Sequence, residues 1–134
     1  MLDAHHFLFW QYKYGEATRS GGIVDQPHEI LRSFCKNFVE MEFPGKDNIC
    51  CGGGGGAVSI DEIRPYRMNV GGRAKAEQIR QTGAKYVVAH CANCKKQLKE
   101  LIETHKLGCE LVRLHDLIYM AIIFPDQNDS ADNQ

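Results

Sequence analysis

No stretch of this 134-residue chain stays apolar for the roughly 18 residues that a membrane-spanning helix needs, so direct membrane insertion is not expected. Nor is there an excess of either charge: 16 Lys and Arg stand against 17 Asp and Glu. Without a basic stripe a nucleic-acid partner is not expected, and Lys95, Lys96 and Lys99 read as a solvated helix face. The start, Met1 to His6, lacks the basic region and cleavage site of a secretory leader, so the expected localisation is cytoplasmic. No internal repeat and no second domain are visible, and the length suits one core.

What the chain has is six cysteines. In a reducing compartment their expected use is metal binding or chemistry rather than disulfides. Cys50 and Cys51 are adjacent and open a run of five glycines, Gly52 to Gly56. A disulfide between neighbours is strained, whereas neighbouring thiolates can share one cofactor. Cys91-Ala92-Asn93-Cys94 supplies a second pair about forty residues on. Thiolates are the soft ligands of zinc and of iron–sulfur clusters. Glycines allow positive φ and a close backbone approach to a bulky group. Cys50, Cys51, Cys91 and Cys94 are therefore the expected metal ligands, with Gly52 and Gly53 beside the cofactor. Cys35 and Cys109 are read as core or boundary residues.

The pattern of elements alternates. His6-Phe7-Leu8-Phe9-Trp10 is a short apolar run that fits a buried strand or a helix turn. A helix begins around Pro27 with Asp25 as its cap, and Ile30, Leu31, Phe34 and Phe38 form its buried face. A short strand is expected over 37–42. Arg73–Thr82 reads as a helix stopped by Gly83, and Lys85–His90 as a buried strand. Asn93–Lys106 reads as a helix stopped at Gly108, and Cys109–Arg113 as another strand. A last helix, capped by Asp116, is expected to run to about Phe124 before Pro125. The fold class predicted is α/β: a single Rossmann-like domain with a parallel sheet covered by helices. Residues 1–18 are read as a divergent N-terminal segment, 19–124 as the folded domain and 125–134 as a disordered tail.

In this scheme Cys91 ends a strand and Cys94 lies in the first turn of the next helix. Open parallel sheets bind ligands at the carboxyl ends of their strands, and a helix N-terminus favours a thiolate. Cys94, Leu98, Leu101 and Ile102 share one face, which turns Cys94 toward the sheet. A thioredoxin-like redox pair and a dinucleotide loop through Gly52, Gly54 and Ala57, with Glu77 as the acidic partner, are weaker fits. Residues 58–65 do not make the clean helix that a dinucleotide loop requires. His28 and His90 are candidates for hydrogen-bonding neighbours of the site.

These motifs resemble the cysteine-rich CCG domain, found usually twice per chain in the B-type subunits of heterodisulfide reductases and in related iron–sulfur subunits, such as those of glycolate oxidase. The resemblance covers about residues 19–123. It rests on Arg19-x-Gly-Gly, Pro27-x-Glu29-Ile30-Leu31, Glu40-Met41, Cys50-Cys51-Gly52, Arg67-Met68, Lys75 to Ile79, Thr82-Gly83-Ala84 and Cys91-x-x-Cys94. It implies a noncubane iron–sulfur cluster and a redox, electron-transport role. The implied partners are other subunits of a redox complex, among which one carrying a second CCG domain is a candidate. The family's upstream cysteine aligns with Gly15 and is absent. The leading reading is thus a redox module of an iron–sulfur oxidoreductase complex, a subunit rather than a complete enzyme. The alternative is a structural or interaction module whose four cysteines hold Zn without turnover.

Overall fold

The computed structural model describes residues 7–9, 25–44, 47–54, 56–89 and 91–122. The fold is mixed α/β, mostly helical, around a small parallel sheet. Four short strands pair in the order β2-β1-β3-β4: β1 is Phe7–Phe9, β2 Phe38–Val39, β3 Tyr86–Val88 and β4 Glu110–Val112. All three pairings are parallel, with Leu8 opposite both Val39 and Val87, and Val87 opposite Leu111. The N-terminal segment, read above as divergent, therefore supplies an inner strand. From β1 the chain passes to β2 on one side, and later through β3 to β4 on the other. Winding reverses between β1 and β3, where an open sheet leaves a crevice at its carboxyl edge.

Two cores flank β3. Successive strand residues face opposite sides, so Val87 and Val88, both fully buried, serve different cores. Val87 packs with α2 (Arg73–Thr82) and α3 (Ala92–His105) through Ala76, Ile79, Leu98 and Leu101. Val88 packs with α1 (Gln26–Phe34) and α4 (Leu114–Ala121) through Leu31, Leu114 and Leu117.

Helix α2 has the bounds its composition predicts and stops at Gly83, whose φ of 60° is left-handed. Elsewhere the ends differ from expectation. Ile30 is 41% exposed and Phe38 lies in β2, so the buried face of α1 is Pro27, His28 and Leu31, with Phe34 partly buried. Cys35 is the C-cap of α1 rather than part of it, and the strand expected over 37–42 is only two residues long. Helix α3 ends at His105, one residue before the expected Lys106, and Lys106 rather than a glycine is its left-handed C-cap. The Leu107 amide bonds back to Ile102 O while Leu107 packs on the core, a closure that forces Lys106 to φ 49°. Helix α4 starts at Leu114 and ends at Ala121. Its N-cap is Arg113, whose guanidinium grips Asp116 at N3 through two 2.7 Å bonds, so Asp116 acts from inside the helix.

Residues 57–71 form no single helix. Two 3₁₀ turns (Ala57–Ser59 and Asp61–Ile63) lead through one α turn (Arg64–Tyr66) into a π-helical turn (Arg67–Gly71) that buries Arg67 and Met68. Single π turns of this kind often sit at functional sites. Among the described residues no helix is long and apolar enough to cross a membrane. Gly15, His90 and the tail from 125 lie outside the described residues.

Candidate functional site

Helix α2 anchors the approach to the cysteine loop. Lys75 is fully buried and gives Nζ–H to Asn48 Oδ1 at 2.6 Å, with Met41 Sδ at 3.6 Å. Three residues along the same face, Gln78 Nε2 donates to Glu42 O at 2.6 Å. A buried ammonium needs such a partner, because an unsatisfied charge in a core costs several kcal/mol or more. The segment from Met41 to Asn48 is thereby held on α2, and Cys50 and Cys51 follow at once.

Beyond Cys51 the backbone is pressed against its neighbours. Gly52 adopts φ +82°, and a Cβ there would lie 2.7 Å from Gly71 C and 2.8 Å from Gly71 O. At Gly53 a Cβ would lie 2.6 Å from Gln97 Cβ and 2.9 Å from Val58 Cγ1. These two glycines are needed for close approach to the π turn and to α3. Gly52 N–H donates to Cys50 Sγ at 3.3 Å, and the Gly53 amide stands beside the Cys51 thiol. Such N–H···S bonds are among the features that set a cluster's potential.

Cys91 is the N-cap of α3, three residues past Val88, the last residue of β3, and its carbonyl takes the Lys95 amide at 2.9 Å. Cys94, in the first turn, is buried on the same face as Gln97, Leu98 and Leu101. This brings it to the other pair. The Cys51 thiol interacts with Cys50 on one side and with Cys94 on the other. Cys50 pulls the Cys51 thiol down, but the neighbouring Cys94 and burial outweigh it and push it up to about 12. Cys91, half-buried, packs against the core that contains Cys51 and Cys94.

None of the six cysteines forms a disulfide. Cys50, Cys51 and Cys94 make a chain of contacts, and among the described residues no three Cys, His, Asp or Glu are yet grouped as a closed metal cage. The donor chemistry nonetheless suits a soft metal or cluster: thiols from two loops, amides on their sulfurs, and glycines where a side chain would intrude. Binding would strip the proton from Cys51, so loading is coupled to proton release.

The other candidates lie elsewhere. Cys35 is buried in the second core, and burial pushes its thiol up to about 11. Cys109 precedes β4 at the amino edge of the sheet, and burial raises it as well. His28 is engaged by Glu40 at 2.6 Å and lies edge-on to Phe38. Glu77 is an exposed partner of Arg80.

Sequence reasoning missed the polar group beneath the loop. Gln97 is fully buried; its Nε2 donates to Cys51 O at 2.9 Å and its Oε1 accepts from Arg67 Nη1. Glu100 Oε2 lies 2.9 Å from the same Nη1, an ion pair angled too poorly to be a hydrogen bond. Nothing in a helix-forming run such as Gln97 to Glu100 distinguishes these residues from a solvated face. Only the Arg67-Met68 pair pointed toward this group.

Comparison with known proteins bears on the family. The sequence profile of the CCG cysteine-rich domain matches residues 16–99. The chain is 34% identical over 77% of its length to the B-type subunit of fumarate reductase (CoM/CoB) from Methanothermobacter marburgensis, covering 20% of that protein. It is 28% identical over 79% of its length to the Hdr-like menaquinol oxidoreductase iron-sulfur subunit 2 of Archaeoglobus fulgidus, covering 20% of it. An uncharacterized iron-sulfur protein of Methanococcus maripaludis is 36% identical over 61% of the chain, which covers 16% of that relative. The chain thus spans a fifth or less of these relatives. No solved structure matches.

Proposed function

The chain belongs to the CCG cysteine-rich domain family, and on that premise we propose that it is an electron-transfer module of an Hdr-like iron–sulfur oxidoreductase complex. Cys50, Cys51, Cys91 and Cys94 would hold the cluster. The observation that carries this is the meeting of the two cysteine pairs, Cys51 beside both Cys50 and Cys94, on a loop whose Gly52 and Gly53 are too close to Gly71 and Gln97 to admit a side chain.

A bound cluster supplies reversible electron uptake. The chain's own residues shape the place for it. The amides of Gly52 and Gly53 offset negative charge on the sulfurs. Burial of Cys51 and Cys94 excludes water, and Cys91 at the head of α3 stands beside the first-turn amides. The sheet winding, reversed between β1 and β3, supports a Rossmann-like reading with the site at the crevice. A fifth thiolate, as in the noncubane cluster of the resembling domains, would have to come from the position of Gly15.

The partners are other subunits of a redox complex. Relatives named as subunits support this, as do Ile60, Ile63, Tyr66 and Val70, exposed along the turns that follow the glycine run.

The test is anaerobic reconstitution with iron and sulfide, followed by iron and sulfide counts per chain and visible and electron-paramagnetic-resonance spectra. A brown protein with stoichiometric sulfide is expected. A colourless protein that takes up zinc but no sulfide would replace the redox reading by a zinc-held structural module.

A further inference from the structure

Arg67 is the least expected residue in the core. It is 1% exposed, yet its Nε and Nη2 have no hydrogen-bond partner among the described residues. Only Nη1 is engaged, by Gln97 Oε1 and by the ion pair with Glu100. Leaving two donors of a buried cation unpartnered costs free energy, so its retention needs a reason. The position gives one. Gln97 orients its amide by offering Oε1 to Arg67, and that leaves Nε2 aimed at Cys51 O and, at 3.4 Å, Arg67 O. The guanidinium thus reinforces the orientation that the two carbonyls favour, and holds the amide from its other end. Gly72 completes the clamp, since a Cβ there would lie 2.8 Å from Leu101 Cδ2 and 2.9 Å from Gln97 Nε2.

We propose that Arg67 is a positioning residue of the sulfur site: acting through Gln97 it fixes the Cys51 peptide against α3, and its buried charge, countered by Glu100, favours the reduced state of a cluster held there. The second half rests on the iron–sulfur reading; the first does not. A positive charge two hydrogen bonds from a ligand residue acts strongly in a core, where screening by water is weak. Arg67 and Glu100 then act with opposite sign.

The experiment uses Gln97→Glu, Arg67→Gln, Arg67→Lys and Glu100→Gln, each checked for folding by circular dichroism. In the reduced, metal-free protein, hydrogen exchange at the Gly52 and Gly53 amides reads the positioning. Gln97→Glu keeps Arg67 paired but loses the donor to Cys51 O, and exchange should quicken by about tenfold or more, as for a lost buried hydrogen bond. Should Arg67→Gln not fold, this variant still decides. In the reconstituted protein, potentiometric titration reads the charge. Arg67→Gln should lower the potential, Glu100→Gln raise it, and Arg67→Lys stay near the parent. Unchanged exchange in folded Gln97→Glu overturns the positioning. Shifts of the same sign from Arg67→Gln and Glu100→Gln overturn the charge effect. If the parent protein binds no cluster, the iron–sulfur reading and the charge effect fail together, and exchange still decides the positioning.

Discussion

Gly52 and Gly56 share a backbone conformation and differ in their surroundings, and this sets up a clean comparison. Their φ values are +82° and +80°. A Cβ on Gly56 meets nothing within 4 Å, whereas one on Gly52 lies 2.7 Å from a backbone carbon of Gly71. Gly56→Ala should therefore cost only the left-handed strain of an L-residue, about 1–2 kcal/mol. Gly52→Ala should cost that and overpacking against backbone that cannot rotate away, about 1–3 kcal/mol more. The expected difference is about 2 kcal/mol, or roughly 5–10 °C in Tm for a domain of this size. Urea unfolding of both variants in reduced, metal-free form measures it. Gly52→Ala should also bind less iron on reconstitution, because the clash relaxes most easily by moving the peptide between Cys51 and Gly53. Equal costs for the two variants, within about 0.5 kcal/mol (the usual error for independent sites), would refute the close approach of the cysteine loop to the π turn.

Serine at any of Cys50, Cys51, Cys91 or Cys94 should lower iron content, whereas Cys35→Ala and Cys109→Ala should leave it unchanged; iron analysis after reconstitution separates the two sets. Loss of iron in Cys35→Ala would make it a ligand. Cys35 also predicts a pH dependence. Burial raises its thiol from 9.0 to about 11, so the folded state holds the proton more tightly than the unfolded chain. That stability is complete below pH 9 and is lost as pH rises from 9 through about 11. Cys35→Ala should flatten this limb of the urea-stability curve, and at pH 8 Cys35 should resist a thiol reagent until the protein is unfolded. Finally, Gly15→Cys should add a thiolate at the family position: iron and sulfide per chain, or lifetime of the cluster in air, should rise. No gain in either would mean that position 15 does not correspond to the missing cysteine.

Much of the site was legible because its chemistry is carried by rare residues. Adjacent cysteines, a glycine run and a C-x-x-C pair have few other uses, and the end of β3 followed by the start of α3 can be read from Val87-Val88 and the helix-forming run after Cys94. Helix ends were harder. Lys106 takes the left-handed position although Gly108 stands two residues away, because Leu107 must reach the core. Ile30 is exposed although it fits the periodicity of α1, because the helix turns Pro27, His28 and Leu31 inward instead.

Composition and motif by themselves determined the class of the protein: a parallel α/β arrangement with four thiols in two pairs, of a kind that binds soft metals. Local spacing suffices there, since helix and strand periods and the needs of glycine are properties of short segments. Only the tertiary structure decided that Phe7–Phe9 is an inner strand, that Cys51 meets both Cys50 and Cys94, and that Arg67, Lys75 and Gln97 are buried. The side chains of such residues normally seek water. What draws them inside is the set of backbone carbonyls and side-chain oxygens waiting there, at Cys51, Glu100 and Asn48, and those partners come from segments far apart in the chain.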